Sequence, residues 1–122
     1  MDLPNEPRTS PFGRKLLIDL IEAGDRGLNP QTLKQPGVVK ELKKLTKLGF
    51  AVSLGDLIYI SAESYGKQAR AILAGRSPGE KISISAAKAS TGLSRKYLFP
   101  ILNRMEGEGL LKRDGDQRIV LK

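Results

Sequence analysis

Hydrophobic residues recur every three or four positions in several stretches of the chain, which is the spacing of a helix with one apolar face. The first stretch follows Ser10-Pro11, where a serine cap and a proline at the first helical position predict a helix start. A short second helix is predicted over residues 30–34 and a third over residues 38–48, ended by Gly49. The apolar positions of the first and third helices are Leu16, Leu17, Leu20, Ile21, Val38, Leu42, Leu45 and Leu48.

The pattern changes from helical spacing to alternation after the third helix. Residues 50–54 alternate as a half-buried strand does, Gly55-Asp56 is a two-residue turn signal, and residues 57–60 predict the return strand. Three helices followed by a two-stranded wing is the order of a winged-helix module. We therefore predict such a module over residues 11–61, after a tail or linker over residues 1–10.

The second half of the chain returns to helical spacing with its own breaks. A helix over residues 62–74, capped by Ser61, leads to a short strand candidate at Ile82-Ser83-Ile84. A small alanine-rich helix is predicted over residues 85–90, and Thr91-Gly92 stops it, since glycine is typical of a helix C-terminus.

The last helix and the hairpin after it close the chain. Ser94 is placed to cap a helix that runs to about Gly107. Residues 110–113 and 117–121 then alternate around Asp114-Gly115-Asp116, which predicts a second hairpin. The apolar stripe of the last helix consists of Leu98, Ile101, Leu102 and Met105.

An offset of sixty residues relates the helix end, the wing turn and part of the core of the two halves. Glycine recurs where the backbone must take a positive φ, which makes a chance match less probable. We therefore predict a mainly helical α+β fold of two tandem winged-helix modules, over residues 11–61 and 62–122. The matched pairs are Gly49 with Gly109, Gly55 with Gly115, Asp56 with Asp116, Leu42 with Leu102, Leu45 with Met105 and Phe50 with Leu110.

The amino-acid composition excludes several chemistries. The chain has no cysteine and no histidine, so it offers no disulfide, no zinc finger and no imidazole base. It also has no apolar run of the ~20 residues that span a membrane and no glycine loop of the kind that cradles nucleotide phosphates. We expect a cytoplasmic monomer that is not an enzyme, holds no metal or other cofactor in this chain and does not contact a membrane.

The net charge of +8 indicates a polyanionic partner. The excess lies in the second half, because residues 1–61 hold nine Lys/Arg against seven Asp/Glu and residues 62–122 hold twelve against six. A winged helix contacts nucleic acid with its third helix and its wing, and basic residues of the second half fall in both places. The candidate RNA-binding residues are Ser94, Arg95, Lys96, Tyr97, Arg104, Lys112, Arg113 and Arg118.

The start of the last helix combines several features that suit nucleic acid. Backbone N–H groups at a helix start favour phosphate, and Arg95 and Lys96 add two cations. Tyr97 offers a ring for an unpaired base, or else packs in the core. A second basic face, on the third helix, is either a solvated surface or a nucleic-acid contact. It consists of Lys40, Lys43, Lys44 and Lys47.

Three motifs of the second half carry a family resemblance. They read Gly92-Leu93-Ser94-Arg95-Lys96-Tyr97, Pro100-Ile101-Leu102 and Arg113-Asp114-Gly115-Asp116-Gln117-Arg118. Together they resemble the C-terminal winged-helix region of the bacterial selenocysteine-specific elongation factor family, SelB. Phe12-Gly13-Arg14 and Leu54-Gly55-Asp56 are similar to the penultimate module of that family, so the resemblance spans residues 11–122.

The resemblance implies a function in translation. Members of the SelB family carry selenocysteinyl-tRNA to the ribosome through an N-terminal GTPase part, and their last winged helix binds an mRNA hairpin that recodes a UGA codon. GTP and magnesium would bind in that GTPase part, which this chain does not include. By position, the resemblance gives the RNA contact first to Arg95 and Lys96 and next to Arg113 and Arg118.

Two other functions stay open from the sequence. A DNA-binding winged-helix transcription regulator would need a dimerisation element and a helix that reads the major groove, for which Asn103 and Arg104 are the main candidates. A tandem winged-helix scaffold that binds only protein would not need its positive charge concentrated in one half.

Overall fold

The computed structural model describes residues 10–33, 36–54 and 58–121. The chain forms two compact units, Met1–Tyr65 and Gly66–Lys122. Each contains helices and a small antiparallel sheet, which confirms the predicted mainly helical α+β class. The boundary between the units falls inside the helix that begins at Ala62.

The first unit begins with the predicted helices. Ser10 occupies the first cap, and its Oγ accepts a hydrogen bond from the Gly13 N–H at 3.0 Å. Two predicted features, the helix end at Lys34 and the wing turn Gly55-Asp56, lie outside the described residues. The elements are α1 (Pro11–Ala23), a 3-10 turn (Gly24–Arg26), α2 (Pro30–Leu33), α3 (Val38–Lys47), β1 (Ala51–Ser53) and β2 (Tyr59–Ser61).

A third segment joins the small sheet of the first unit, and the sequence pattern does not reveal it. Leu28 and Tyr59 exchange two backbone hydrogen bonds, of 2.7 and 2.9 Å. Gly27 precedes this bridge with a φ of +70°, and a Cβ at that position would lie 2.5 Å from the Tyr59 carbonyl oxygen. Glycine is therefore required beside the bridge. The core of this unit consists of Leu16, Leu17, Leu20, Val38, Leu42, Leu45, Ala51 and Tyr59.

The second unit contains a three-stranded sheet, in which a short strand near the predicted candidate at residues 82–84 joins the predicted hairpin. The elements from the boundary onward are α4 (Ala62–Leu73), β3 (Lys81–Ile82), α5 (Ile84–Thr91), α6 (Arg95–Gly107), β4 (Leu111–Asp114) and β5 (Gln117–Val120). Lys81 pairs with Ile119 and Ile82 with Arg118, so β3 lies beside β5 on the side away from β4. The wing is thus anchored on one edge by a strand that precedes both helices.

Of the strand predicted at Ile82-Ser83-Ile84, only Ile82 belongs to a strand, and the prediction is wrong for the other two residues. Ser83 is the cap of α5, where its Oγ accepts a hydrogen bond from the Ala86 N–H at 3.0 Å, and Ile84 is the first helical residue. The cap satisfies an N–H that a helix start otherwise leaves unpaired. This local hydrogen bond favours a helix start at Ser83, and an alternation of only three residues is too short to specify a strand there.

The apolar stripe predicted for α6 is buried. Leu98, Ile101, Leu102 and Met105 are each at most 1% exposed. Their burial fixes which face of α6 points away from the core, and that outward face carries the residues considered below. Within the described ranges, no helix is long and apolar enough to cross a membrane.

Candidate nucleic-acid interface

The start of α6 has the predicted position but not the predicted side-chain cap. Ser94 takes an extended conformation at the cap, and its carbonyl oxygen accepts hydrogen bonds from the Tyr97 and Leu98 N–H groups at 3.1 and 2.9 Å. Its hydroxyl makes no capping hydrogen bond, and the residue is exposed. The Ser94 side chain is therefore not committed to holding the helix start.

One face of α6 forms a wall of a groove in the second unit. Arg95, Phe99 and Asn103 follow one another at intervals of four residues, which places them along the same side of the helix. The wing forms the facing wall, and the groove has a volume of about 310 Å³. Its lining residues are Ile84, Arg95, Phe99, Asn103, Arg113, Gly115, Asp116 and Arg118.

Cations lie over aromatic rings at the start of α6. The Arg95 Cζ is 5.5 Å from the centre of the Phe99 ring, within the range of a cation–π contact. The Lys96 Nζ is 5.6 Å from the centre of the Tyr97 ring, but neither of these two residues lines the groove. The aromatic side chain of the groove is therefore Phe99, which sequence reasoning missed. Its spacing of four residues from Arg95 predicts that the two side chains lie on the same face of the helix.

The wing contributes Arg113 from its first strand. Arg113 stands opposite Arg118 in the β4–β5 pair, and its side chain is 58% exposed. Its Nη2 donates a hydrogen bond to the Asn103 Oδ1 at 3.0 Å, and its Nε donates to the Glu106 Oε1 at 3.4 Å. Arg113 is thus an exposed cation that two α6 side chains hold beside the groove.

Arg118 differs from Arg113 because its side chain is buried. It is 4% exposed, and its Nε lies 2.6 Å from the Glu106 Oε1 in an ion pair that lacks hydrogen-bond geometry at Nε. Its Nη1 donates a hydrogen bond to the Gln117 carbonyl oxygen at 3.1 Å. Arg118 therefore lines the groove as part of its wall, and it offers far less charge to solvent than Arg113.

The remaining predicted residues lie outside the groove. Arg104 pairs with Glu108 one turn further along the chain, with Nε and Oε2 3.4 Å apart. Lys112 is exposed on β4 next to Arg113, and adjacent strand residues point to opposite faces of a sheet. The structure thus brings together Arg95, Arg113 and Arg118 of the eight predicted residues, and it adds Phe99 and Asn103.

The groove offers three kinds of contact that suit nucleic acid. Arginine forks bind phosphate through charge-assisted hydrogen bonds, and an aromatic ring stacks on an unpaired base. The Asn103 amide and the Asp116 carboxylate can hydrogen-bond to a base edge. In the part of the chain that the structure describes, no group of three or more acidic side chains is placed to hold a metal ion.

Comparisons with known proteins agree on the second unit. Residues 76–120 match the family model described as elongation factor SelB, winged helix. The crystal structure of a bacterial selenocysteine-specific elongation factor, EF-Sec, shares the fold, with a TM-score of 0.74 and 24% identity over 93% of this chain. This chain spans 19% of the EF-Sec chain. No curated protein sequence matches it. The resemblance that the sequence predicts is confirmed for the second unit, where residues 76–120 match the SelB winged-helix model.

Proposed function

We propose that this chain is an RNA-binding segment of a selenocysteine-specific elongation factor and that the groove of its second unit binds an mRNA hairpin. The observation that carries the proposal is the convergence of Arg95, Phe99, Asn103 and Arg113 on one groove. Two exposed cations beside a stacking ring suit a phosphate backbone with an unpaired base, which is what a hairpin loop presents. The match of residues 76–120 to SelB supports the same reading.

The two alternative functions fit the groove less well. A DNA-binding regulator would lay the outward face of α6 into a major groove, but Arg95 lies over Phe99 and Asn103 accepts a hydrogen bond from Arg113. The Arg95–Phe99 and Arg113–Asn103 contacts line a groove that suits an unstacked base rather than the edge of a base pair. A scaffold for protein partners would need a mainly apolar patch, whereas five of the eight residues that line the groove are charged or polar.

The first unit is proposed to be another winged helix, in tandem with the SelB-like winged helix of the second unit. The hydrogen bond from the Phe50 N–H to the Leu45 carbonyl, 3.0 Å, recurs sixty residues later from Leu110 to Met105 at 2.9 Å. A glycine of positive φ stands before each of these residues, at +89° and +77°. The two wings differ in loop length, because Ser53 pairs with Tyr59 whereas Asp114 pairs with Gln117.

The remaining functions of a whole SelB-like factor are assigned to parts outside this chain. GTP, magnesium and selenocysteinyl-tRNA would bind to those parts. The whole factor would act in the cytoplasm and bind the ribosome. The role left for this chain is to recognise the mRNA as a monomer. The predicted site residues Ser94, Lys96 and Tyr97 lie at the start of α6. There they would contact the RNA backbone next to the nucleotide that occupies the groove.

A binding comparison tests the proposed function. The probe is the hairpin that binds best among those found directly downstream of UGA codons in selenoprotein mRNAs; we call it the test hairpin. The chain is expected to bind it about tenfold or more tightly than duplex DNA of the same length at the same salt. Equal affinity for the two in a filter-binding assay would contradict the RNA reading.

A further inference from the structure

We propose that Glu106 is a positioning residue that holds the wing arginine Arg113 in place for RNA. The inference rests on the proposed function of the groove. Glu106 does not line the groove, and no motif of the resemblance includes it. It acts through the two arginines of the wing that contact its carboxylate.

The geometry places Arg113 between two acceptors on one helix. Asn103 and Glu106 are three residues apart on α6, so they project from the same side. Arg113 donates from Nη2 to Asn103 and from Nε to Glu106. A guanidinium has five N–H donors, so these two contacts fix its plane and still leave donors for a phosphate. Holding the fork in advance reduces the conformational entropy that RNA binding would otherwise cost.

Arg118 contacts the same carboxylate oxygen as Arg113. The same Glu106 oxygen that accepts from Arg113 lies 2.6 Å from the Arg118 Nε, and Arg118 is itself bonded to the Gln117 carbonyl. Glu106 is 22% exposed, so water does not fully screen this pair. One acidic side chain of α6 thus ties both strands of the wing, at the residues that stand opposite each other in the β4–β5 pair.

A positioning role for Glu106 and a purely electrostatic effect predict opposite changes in RNA affinity when Glu106 is replaced. Removing an acidic charge beside an RNA-binding surface should strengthen binding if only net charge matters. If Glu106 positions Arg113, removing it should weaken binding even though the chain becomes more positive. Alanine and glutamine remove the same charge, but only glutamine keeps an oxygen that can accept from Arg113.

The experiment measures binding of the full chain to the test hairpin for Glu106→Ala, Glu106→Gln and the control Glu108→Gln. Glu106→Ala is expected to weaken binding about tenfold, the scale of one charge-assisted hydrogen bond, with Glu106→Gln between it and the parent. Glu108→Gln removes a charge from the same helix end without touching Arg113, so its binding should stay equal or become tighter. In the Arg113→Ala background, Glu106→Gln should cost clearly less than it does in the parent, because only the pair with Arg118 is left to lose.

Each outcome decides the proposal. Binding by Glu106→Gln as tight as the parent, or a loss that simply adds to that of Arg113→Ala, would overturn it. If Glu106→Ala fails to fold, Glu106→Gln carries the test alone. The NMR signal of the Arg113 Nε–H gives a readout without RNA, since it should exchange faster with water in Glu106→Gln than in Glu108→Gln. If the parent binds no hairpin, the proposed function fails, and this signal still shows whether Glu106 holds Arg113.

Discussion

The double substitution Arg95→Ala with Lys96→Ala is expected to weaken binding of the test hairpin by about tenfold to a hundredfold near 0.1 M salt, the scale of two charge-assisted contacts. Arg95 lines the groove and covers the Phe99 ring, so its loss removes a phosphate contact and part of the stacking platform. Lys96 lies over Tyr97 outside the groove. Of the two single substitutions, Arg95→Ala should therefore cost more.

Salt titration and a matched control separate this prediction from a general charge effect. The slope of log affinity against log salt should become shallower by about 1.4 to 1.8, because two lost phosphate contacts mean that fewer counterions are released on binding. The control Lys43→Ala with Lys44→Ala removes two cations from the exposed basic face of α3. It should change affinity by about twofold or less if these exposed lysines make no contact with the RNA. If the control weakens binding and the Arg95–Lys96 pair does not, the RNA-binding surface belongs to the first unit.

Gly27→Ala is expected to cost about 3 kcal/mol or more of the free energy of unfolding. Gly27 has φ of 70° and ψ of −172°, a region that other residues adopt only with strain. Its new Cβ would also lie 2.5 Å from the Tyr59 carbonyl oxygen and 2.7 Å from the Ile60 Cγ2, both parts of the β2 strand. The change would push apart the bridge between Leu28 and Tyr59.

Gly24→Ala is the matched control for this effect. Gly24 also has a positive φ, of 58°, but among the described residues other than its chain neighbours no atom lies within 4 Å of the Cβ it would gain. Urea unfolding followed by circular dichroism should show Gly27→Ala to be about 2 kcal/mol more destabilising than Gly24→Ala, the cost of overpacking alone. Equal costs for the two substitutions would show that the close contact at Gly27 is relieved by a small backbone movement.

The elements that the sequence predicts correctly are those that local chemistry determines. Ser10-Pro11 and the stripe from Leu98 to Met105 each specify a helix through neighbours only a few residues away. The alternation at Ile82-Ser83-Ile84 predicts only part of the two-residue strand β3, and the Leu28 bridge is too short to show a period of its own. They form because a distant strand offers unpaired backbone groups, and a pattern read along the chain does not contain that information.

The groove shows the same division between local and distant information. Arg95 and Arg113 are visible as basic residues at a helix start and in a wing. Phe99 and Asn103 became part of the site only when the outward face of α6 was known, and that face is set by the burial of the opposite stripe. The pairing of Glu106 with two wing arginines depends on the register of β4 and β5, which brings Arg113 and Arg118 opposite each other.

The most direct test of the account is an NMR titration of the isotope-labelled chain with the test hairpin, because it maps the contact residue by residue. The largest amide shifts are expected on residues 94–103, which comprise the cap and the first turns of α6, and on residues 113–118 of the wing. The basic face of α3 should shift little. Large shifts on Lys40, Lys43, Lys44 and Lys47, with the groove unchanged, would contradict the claim that the groove of the second unit binds the RNA.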